Sequence, residues 1–204
     1  MKTFALIAAL TLGAALPATA ATVFEDTFEY GDETVLNATS ATFDNNWVIT
    51  SGSVDYLNAN DDYGFLCGGK PGCVDLDGST NVAGSFSTAM VFGPGSYDIN
   101  FQIWGNNRNA GNDEVTITFG DLTVTFTLGQ TEATYAALFG DLFNDIVVTT
   151  STVLTFSNAG GDNQGAVLKY VSVDMAPIPL PAAGGLMVAA LGALAALRRR
   201  RAAA

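Results

Sequence analysis

The chain has 204 residues, with 20 Asp and Glu against eight Lys and Arg, no histidine and a net charge of −12. That charge repels phosphate backbones and argues against a nucleic-acid partner. Without histidine, the usual base for a Ser or Cys nucleophile is missing as well.

The first residues, Lys2, the apolar run Phe4 to Leu16, Pro17 and the small triplet Ala18-Thr19-Ala20, have the layout of a secretory signal peptide. Residues 1–20 are therefore expected to be a leader cut after Ala20. The run of 13 residues is too short to cross a hydrocarbon core of roughly 30 Å.

Residues 21–176 form the expected domain, long enough to bury a core. All 20 acids lie in it against only Lys70, Arg108 and Lys169, a net −17 for the segment. Asn46 to Thr50 and Ser53 to Leu57 read as the first strands. Cys67 and Cys73 follow in a Gly-rich loop and are expected to form a disulfide, since a zinc site has no histidine and no second cysteine pair to draw on. Gly84 to Val91 is the next strand. In Tyr97 to Ile103, Tyr97, Ile99, Phe101 and Ile103 share one face and polar residues the other, the period of a half-buried strand. Val115 to Phe119 and Leu122 to Leu128 alternate on either side of Gly120-Asp121 and predict a tight hairpin. Glu132 to Leu142 reads as a helix. Ile146 to Thr149, Thr152 to Ser157 and Ala166 to Asp174 complete the strands. Eight or more short strands separated by Gly, Asn and Asp clusters predict an all-β domain, a β-sandwich of jelly-roll type.

Residues 177–204 form a different kind of segment. Pro177, Pro179 and Pro181 favour extended backbone. An apolar helix is expected over 182–197, with Arg198 to Arg201 behind it. Sixteen residues reach about 24 Å as a helix, a short transmembrane span, and the arginines place its end in the cytoplasm.

The order Pro177-Ile178-Pro179-Leu180-Pro181-Ala182, apolar helix, arginine cluster resembles the PEP-CTERM class of sorting domains, in the variant that reads Val-Pro-Leu-Pro-Ala, with Ile178 where Val is usual. The resemblance implies an exosortase-like membrane protease as partner, cutting near Pro179, Leu180 and Pro181 after transient anchoring in the inner membrane. The middle segment is similar to the choice-of-anchor C type domain, a galactose-binding-like β-sandwich. The similarity rests on Phe28-Glu29, Trp47 to Tyr56, Cys73 to Ser79, Gly95-Ser-Tyr97, Trp104-Gly105-Asn106 and Leu168 to Val173. It implies an exported protein of a Gram-negative cell envelope or extracellular matrix, associated with surface polysaccharide. Related sandwiches often hold a structural calcium between first and last strands, and the matching positions are Glu29 and Asp174.

Three readings of local chemistry remain. No catalytic set is visible, and 20 acids leave the choice of a carboxylate pair too open to indicate a hydrolase, so the protein is expected not to be an enzyme. Asp75-Leu76-Asp77-Gly78 begins like a calcium-binding EF-hand loop but has Thr80 and Phe86 at the sixth and twelfth positions, where Gly and Glu are needed. Trp104 is out of phase with the apolar face of its strand and is aimed toward Asn106, Asn107, Arg108 and Asn109. Trp104, Asn106 and Arg108 are thus the expected glycan-binding surface, with a carbohydrate-binding module as the alternative function. Packing of Trp104 beneath a loop is the competing arrangement, and Trp47 reads as core.

Overall fold

A computed structural model describes residues 19–31, 34–39, 42–43, 45–80, 82–108 and 111–177, with 190–194, 198–199 and 201 in the tail. The chain divides into two units, Ala20–Ala176 and the terminal segments Met1–Thr19 with Pro177–Ala204. In the terminal unit, residues 190–194 are helical. Among the described residues no helix is long and apolar enough to cross a membrane. The signal-peptide run, Pro179, Leu180, Pro181 and most of the helix expected over 182–197 lie outside the described residues.

The strands of the domain are β1 (Ala21–Asp26), β2 (Val35–Ala38), β3 (Thr42–Phe43), β4 (Trp47–Ser51), β5 (Val54–Asn58), β6 (Gly72–Asp75) and β7 (Ser85–Thr88). They continue as β8 (Gly95–Trp104), β9 (Asp113–Phe119), β10 (Leu122–Leu128), β11 (Ala133–Tyr135), β12 (Ile146–Val148), β13 (Leu154–Ala159) and β14 (Val167–Met175). Two sheets result. The larger has eight strands in the order β11-β8-β14-β6-β5-β2, with β1 also on β14 and β12 also on β8; the smaller has six, β10-β9-β13-β7-β4-β3.

Alternation decides which side chains meet between the sheets. Tyr97, Ile99, Phe101 and Ile103 of β8, Val115, Ile117 and Phe119 of β9, and Leu168, Val171 and Val173 of β14 are all buried in one core. Its aromatic centre is Trp47, whose ring stacks 4.4 Å from Phe86 and 5.8 Å from Phe28. The indole Nε1 donates to Asp26 Oδ2 at 2.7 Å, so the one polar atom of the ring is satisfied. Each fully buried Phe contributes roughly 1.5–3 kcal/mol of transfer free energy. The hairpin of β9 and β10 forms with Phe119 opposite Leu122. Of its two turn residues only Gly120 takes a positive φ, +59°, where a Cβ would be strained.

The segment expected to be a helix over Glu132 to Leu142 is instead β11 followed by a 3-10 segment, Ala136–Phe143. Tyr135 is extended (φ −131°, ψ 151°), and Gly140 breaks the helical path at φ 63°, ψ −134°. Pairing with β8 and the burial of Phe143 against Phe101 outweigh the weak local helix preference.

The long strands of the larger sheet are hemmed by short ones. β14 pairs with β8 along one edge; its other edge is divided between β6, at Val167 and Leu168, and β1, from Val171 to Met175. β8 likewise pairs with β11 through Gln102–Trp104 and with β12 through Gly95–Tyr97. A second, smaller core of Leu57, Leu66, Cys67, Cys73 and Val167 covers part of the outer face of this sheet. It is closed by the Cys67–Cys73 disulfide, with Cα atoms 5.2 Å apart.

Candidate functional site

The outer face of the larger sheet carries the chemistry. On β8 the residues out of phase with the core include Asn100, Gln102 and Trp104; on β14 a register shift between Leu168 and Tyr170 makes Lys169 the extra residue of a bulge and presents Tyr170 on the outer face. Lys169 is 1% exposed, and its Nζ lies 3.4 Å from the centroid of the Trp104 ring. Gly68 has a φ of +58°, which favours glycine, and a Cβ there would sit 2.8 Å from Lys169 Nζ and 3.0 Å from Trp104 Cζ3, so the disulfide loop closes tightly over this pair. Burial lowers the Lys169 ammonium to a pKa of about 8.

Beside it, Asp75 Oδ1 accepts the backbone N–H groups of Asp77 (3.0 Å) and Gly165 (2.9 Å), and Asp75 Oδ2 accepts Arg108 Nη2 at 2.5 Å. Burial pushes the Asp75 carboxyl up to about 7, with Arg108 pulling the other way. Asn106 donates to Asp113 Oδ2 (2.9 Å) and to the Gln164 carbonyl (3.1 Å), while its own Oδ1 accepts Arg108 N–H. Burial pushes Asp113 up to about 6.

An open groove of about 300 Å³ lies on this sheet, lined by Asn100, Phe101 and Gln102 of β8, Tyr135, Ala136 and Ala137, Tyr170 of β14, and Lys70. Gln102 Nε2 donates to Tyr135 Oη at 3.3 Å, and Tyr170 Oη donates to Glu25 Oε1 at 3.2 Å. Lys70 also lines a second groove of about 410 Å³, with Glu29, Asn58 and Asn60. The first groove combines flat rings with hydroxyl and amide groups, which suits a ligand with both CH faces and hydroxyls.

No family model matches the chain, and no curated protein does. Among solved structures, the CBM22-1 and GH10 modules of xylanase 10B from Clostridium thermocellum, bound to xylohexaose, are similar at 10% identity and a TM-score of 0.41, over 78% of this chain and 29% of that one. An exo-β-1,3-galactanase from Phanerochaete chrysosporium is similar at 14% identity and a TM-score of 0.35, over 60% of this chain and 26% of that one. TmCBM61, in complex with β-1,4-galactotriose, is similar at 15% identity and 0.34, over 62% and 85%. The chain thus spans less than a third of the first two.

The structure places the expected ligand surface differently from the sequence reading. Trp104 does face outward, but it packs under the disulfide loop, the competing arrangement. Asn106, 1% exposed, and Arg108 are brought together around Asp113 and Asp75, facing inward. The expected calcium pair is not assembled. Asp174 lies opposite Thr22, whose Oγ1 donates to it at 2.5 Å, whereas Glu29 lies beyond Asp26, at the other end of β1, and lines the second groove. Among the described residues no group of three or more His, Cys, Asp or Glu side chains could hold a metal. Cys67 and Cys73 are bonded as expected. Ala20 is exposed immediately before β1.

Asn100, Gln102, Tyr135, Tyr170 and Lys70 were missed. The alternation that aims Trp104 outward does the same for Asn100 and Gln102. Tyr135 was hidden in the expected helix, and Tyr170 by a bulge that local sequence does not announce.

Proposed function

We propose that this is an exported, non-enzymatic protein of the cell envelope or extracellular matrix that associates with surface polysaccharide through the groove between β14, β8 and β11. The groove itself carries this reading: two tyrosine rings offer faces for pyranose CH groups, and the Asn100 and Gln102 amides, with the tyrosine hydroxyls, offer partners for sugar hydroxyls. Export is supported by the leader-like N-terminus and by the single disulfide, a bond that persists in oxidising compartments. The exosortase-like processing step and the transient inner-membrane anchor rest on the tail sequence.

Glycan-array binding and pull-down with the producing cell's own polysaccharide test the groove. Tyr135→Ala and Tyr170→Ala should each weaken binding about tenfold, the loss of a sugar–ring contact of roughly 1–1.5 kcal/mol. Trp104→Ala, by contrast, should act through stability more than through affinity. Binding to no glycan, or binding unaffected by both tyrosine changes, sinks the reading.

A further inference from the structure

β10 ends the smaller sheet: it pairs with β9 on one side, and among the described residues nothing pairs with its other side. The remaining outer strands are guarded. β3 has two residues and β11 and β12 three each, while the pairing of β1 and of β2 is interrupted by a register shift. Short length and bulges are devices that keep a sheet edge from pairing further. β10 has neither: Leu122–Leu128 runs seven residues in unbroken register, without a proline or a single charge, in a domain holding all 20 acids of the chain.

The hairpin shows which backbone groups this edge offers. Its two-residue turn, Gly120-Asp121, makes Phe119 and Leu122 a hydrogen-bonded pair, and bonded positions then alternate along β10, at Val124, Phe126 and Leu128. The N–H and C=O groups of Thr123, Thr125 and Thr127 therefore point away from β9. Their side chains are exposed on the outer face, and on the inner face Leu122 and Phe126 are only half-buried.

We propose that β10 pairs antiparallel with β10 of a second copy about a twofold axis at Thr125, joining the two smaller sheets into one. In this register Thr125 exchanges both backbone bonds with its own counterpart, and Thr123 does so with the partner's Thr127. Leu122 meets the partner's Leu128, and Val124 the partner's Phe126. Threonine faces threonine outside, apolar faces apolar inside, and no carboxylate is set opposite another. That match along the whole strand favours a second copy over an unrelated strand. Pairing uses up the long edge of both copies, so assembly closes at two. The glycan groove lies on the larger sheet and the inference does not rest on it.

The test is sedimentation equilibrium of the full chain, in neutral detergent so that its apolar termini do not associate, from about 1 to 100 μM. Twice the chain mass is expected at the upper end, and the dissociation constant should fall severalfold with added salt, which screens the −17 of each domain. Thr125→Pro removes an outward N–H and no bond to β9, and should raise that constant at least about tenfold. Thr125→Lys keeps every backbone bond but sets two lysines face to face; it should do the same, and it carries the test should the proline variant fail to fold. Thr125→Cys should cross-link to its own copy on mild oxidation, because bonded partners lie about 5.5 Å apart at Cα, within disulfide reach. Thr155→Cys, on β13 in the middle of the same sheet, should not. A chain that stays monomeric at about 100 μM overturns the pairing. So does a dimer that survives Thr125→Lys, falls apart in salt or cross-links at Thr155 instead.

Discussion

Asp75 has a guanidinium on one oxygen and two backbone amides on the other, yet burial still holds its proton to about 7; Asp113, less enclosed, titrates near 6. Both values lie above the 3.8 of a free Asp, so the folded protein binds more protons than the unfolded chain between about pH 4 and 7, and stability falls as pH rises through that window. Lys169 works in the opposite sense. Lowered to about 8 from 10.5, it is protonated in the unfolded chain but neutral in the fold above pH 8, so stability recovers from there to about pH 10. The urea midpoint should therefore pass through a minimum between pH 7 and 8. Lys169→Met, which keeps the stem on the Trp104 ring without the ammonium, should remove the alkaline recovery and leave the acid limb. A midpoint that climbs steadily from pH 4 to 7 contradicts the assignment of burial as the dominant influence on these two carboxyls.

The disulfide loop is the element on which the outer face depends. It covers Lys169 and Trp104, closes the small core at Leu57, Leu66 and Val167, and sets Lys70 at the wall of both grooves. Replacing Cys67 and Cys73 with Ser should cost about 2 kcal/mol by the loop-entropy estimate and lower the melting temperature by about 5 °C; an unchanged melting curve would mean that the loop holds itself closed. The elements legible in sequence are those whose period shows which face is buried: β8 and the β9–β10 hairpin stand close to where alternation puts them. β6, four residues inside a Gly-rich stretch, is held by partners far along the chain and leaves no local pattern. β1 carries the buried Phe24 and Asp26, but only its pairing with β14 shows that these residues form a strand. At the site, alternation shows Asp75 pointing away from the sandwich core. That this outer side is itself covered follows from the disulfide loop and the β13–β14 connection, which no short-range pattern reveals.

At the scale of the whole chain, the domain and its terminal segments differ in composition. The domain carries every acid, and the tail carries a proline motif, an apolar run and four arginines. If the tail is a sorting signal, replacing Pro179 and Pro181 with Ala should trap a longer, membrane-bound form; a blot showing the wild-type mass and distribution would remove that role. Within the domain, the two short strands that hem β8 leave an interval between them, opposite Asp98 to Phe101, spanned by the 3-10 segment. Phe139 and Phe143 pin that segment to Phe101, whereas Leu138 and Leu142 face water and Gly140 already breaks the helical path. Residues 140–142, between those two anchors, are exposed and take no part in the pairing of β8 with β14 or in the lining of the groove, whose wall on this side is Tyr135, Ala136 and Ala137. A change of length there therefore falls on surface chain and spares both sheet and groove, the kind of position at which insertions are tolerated best.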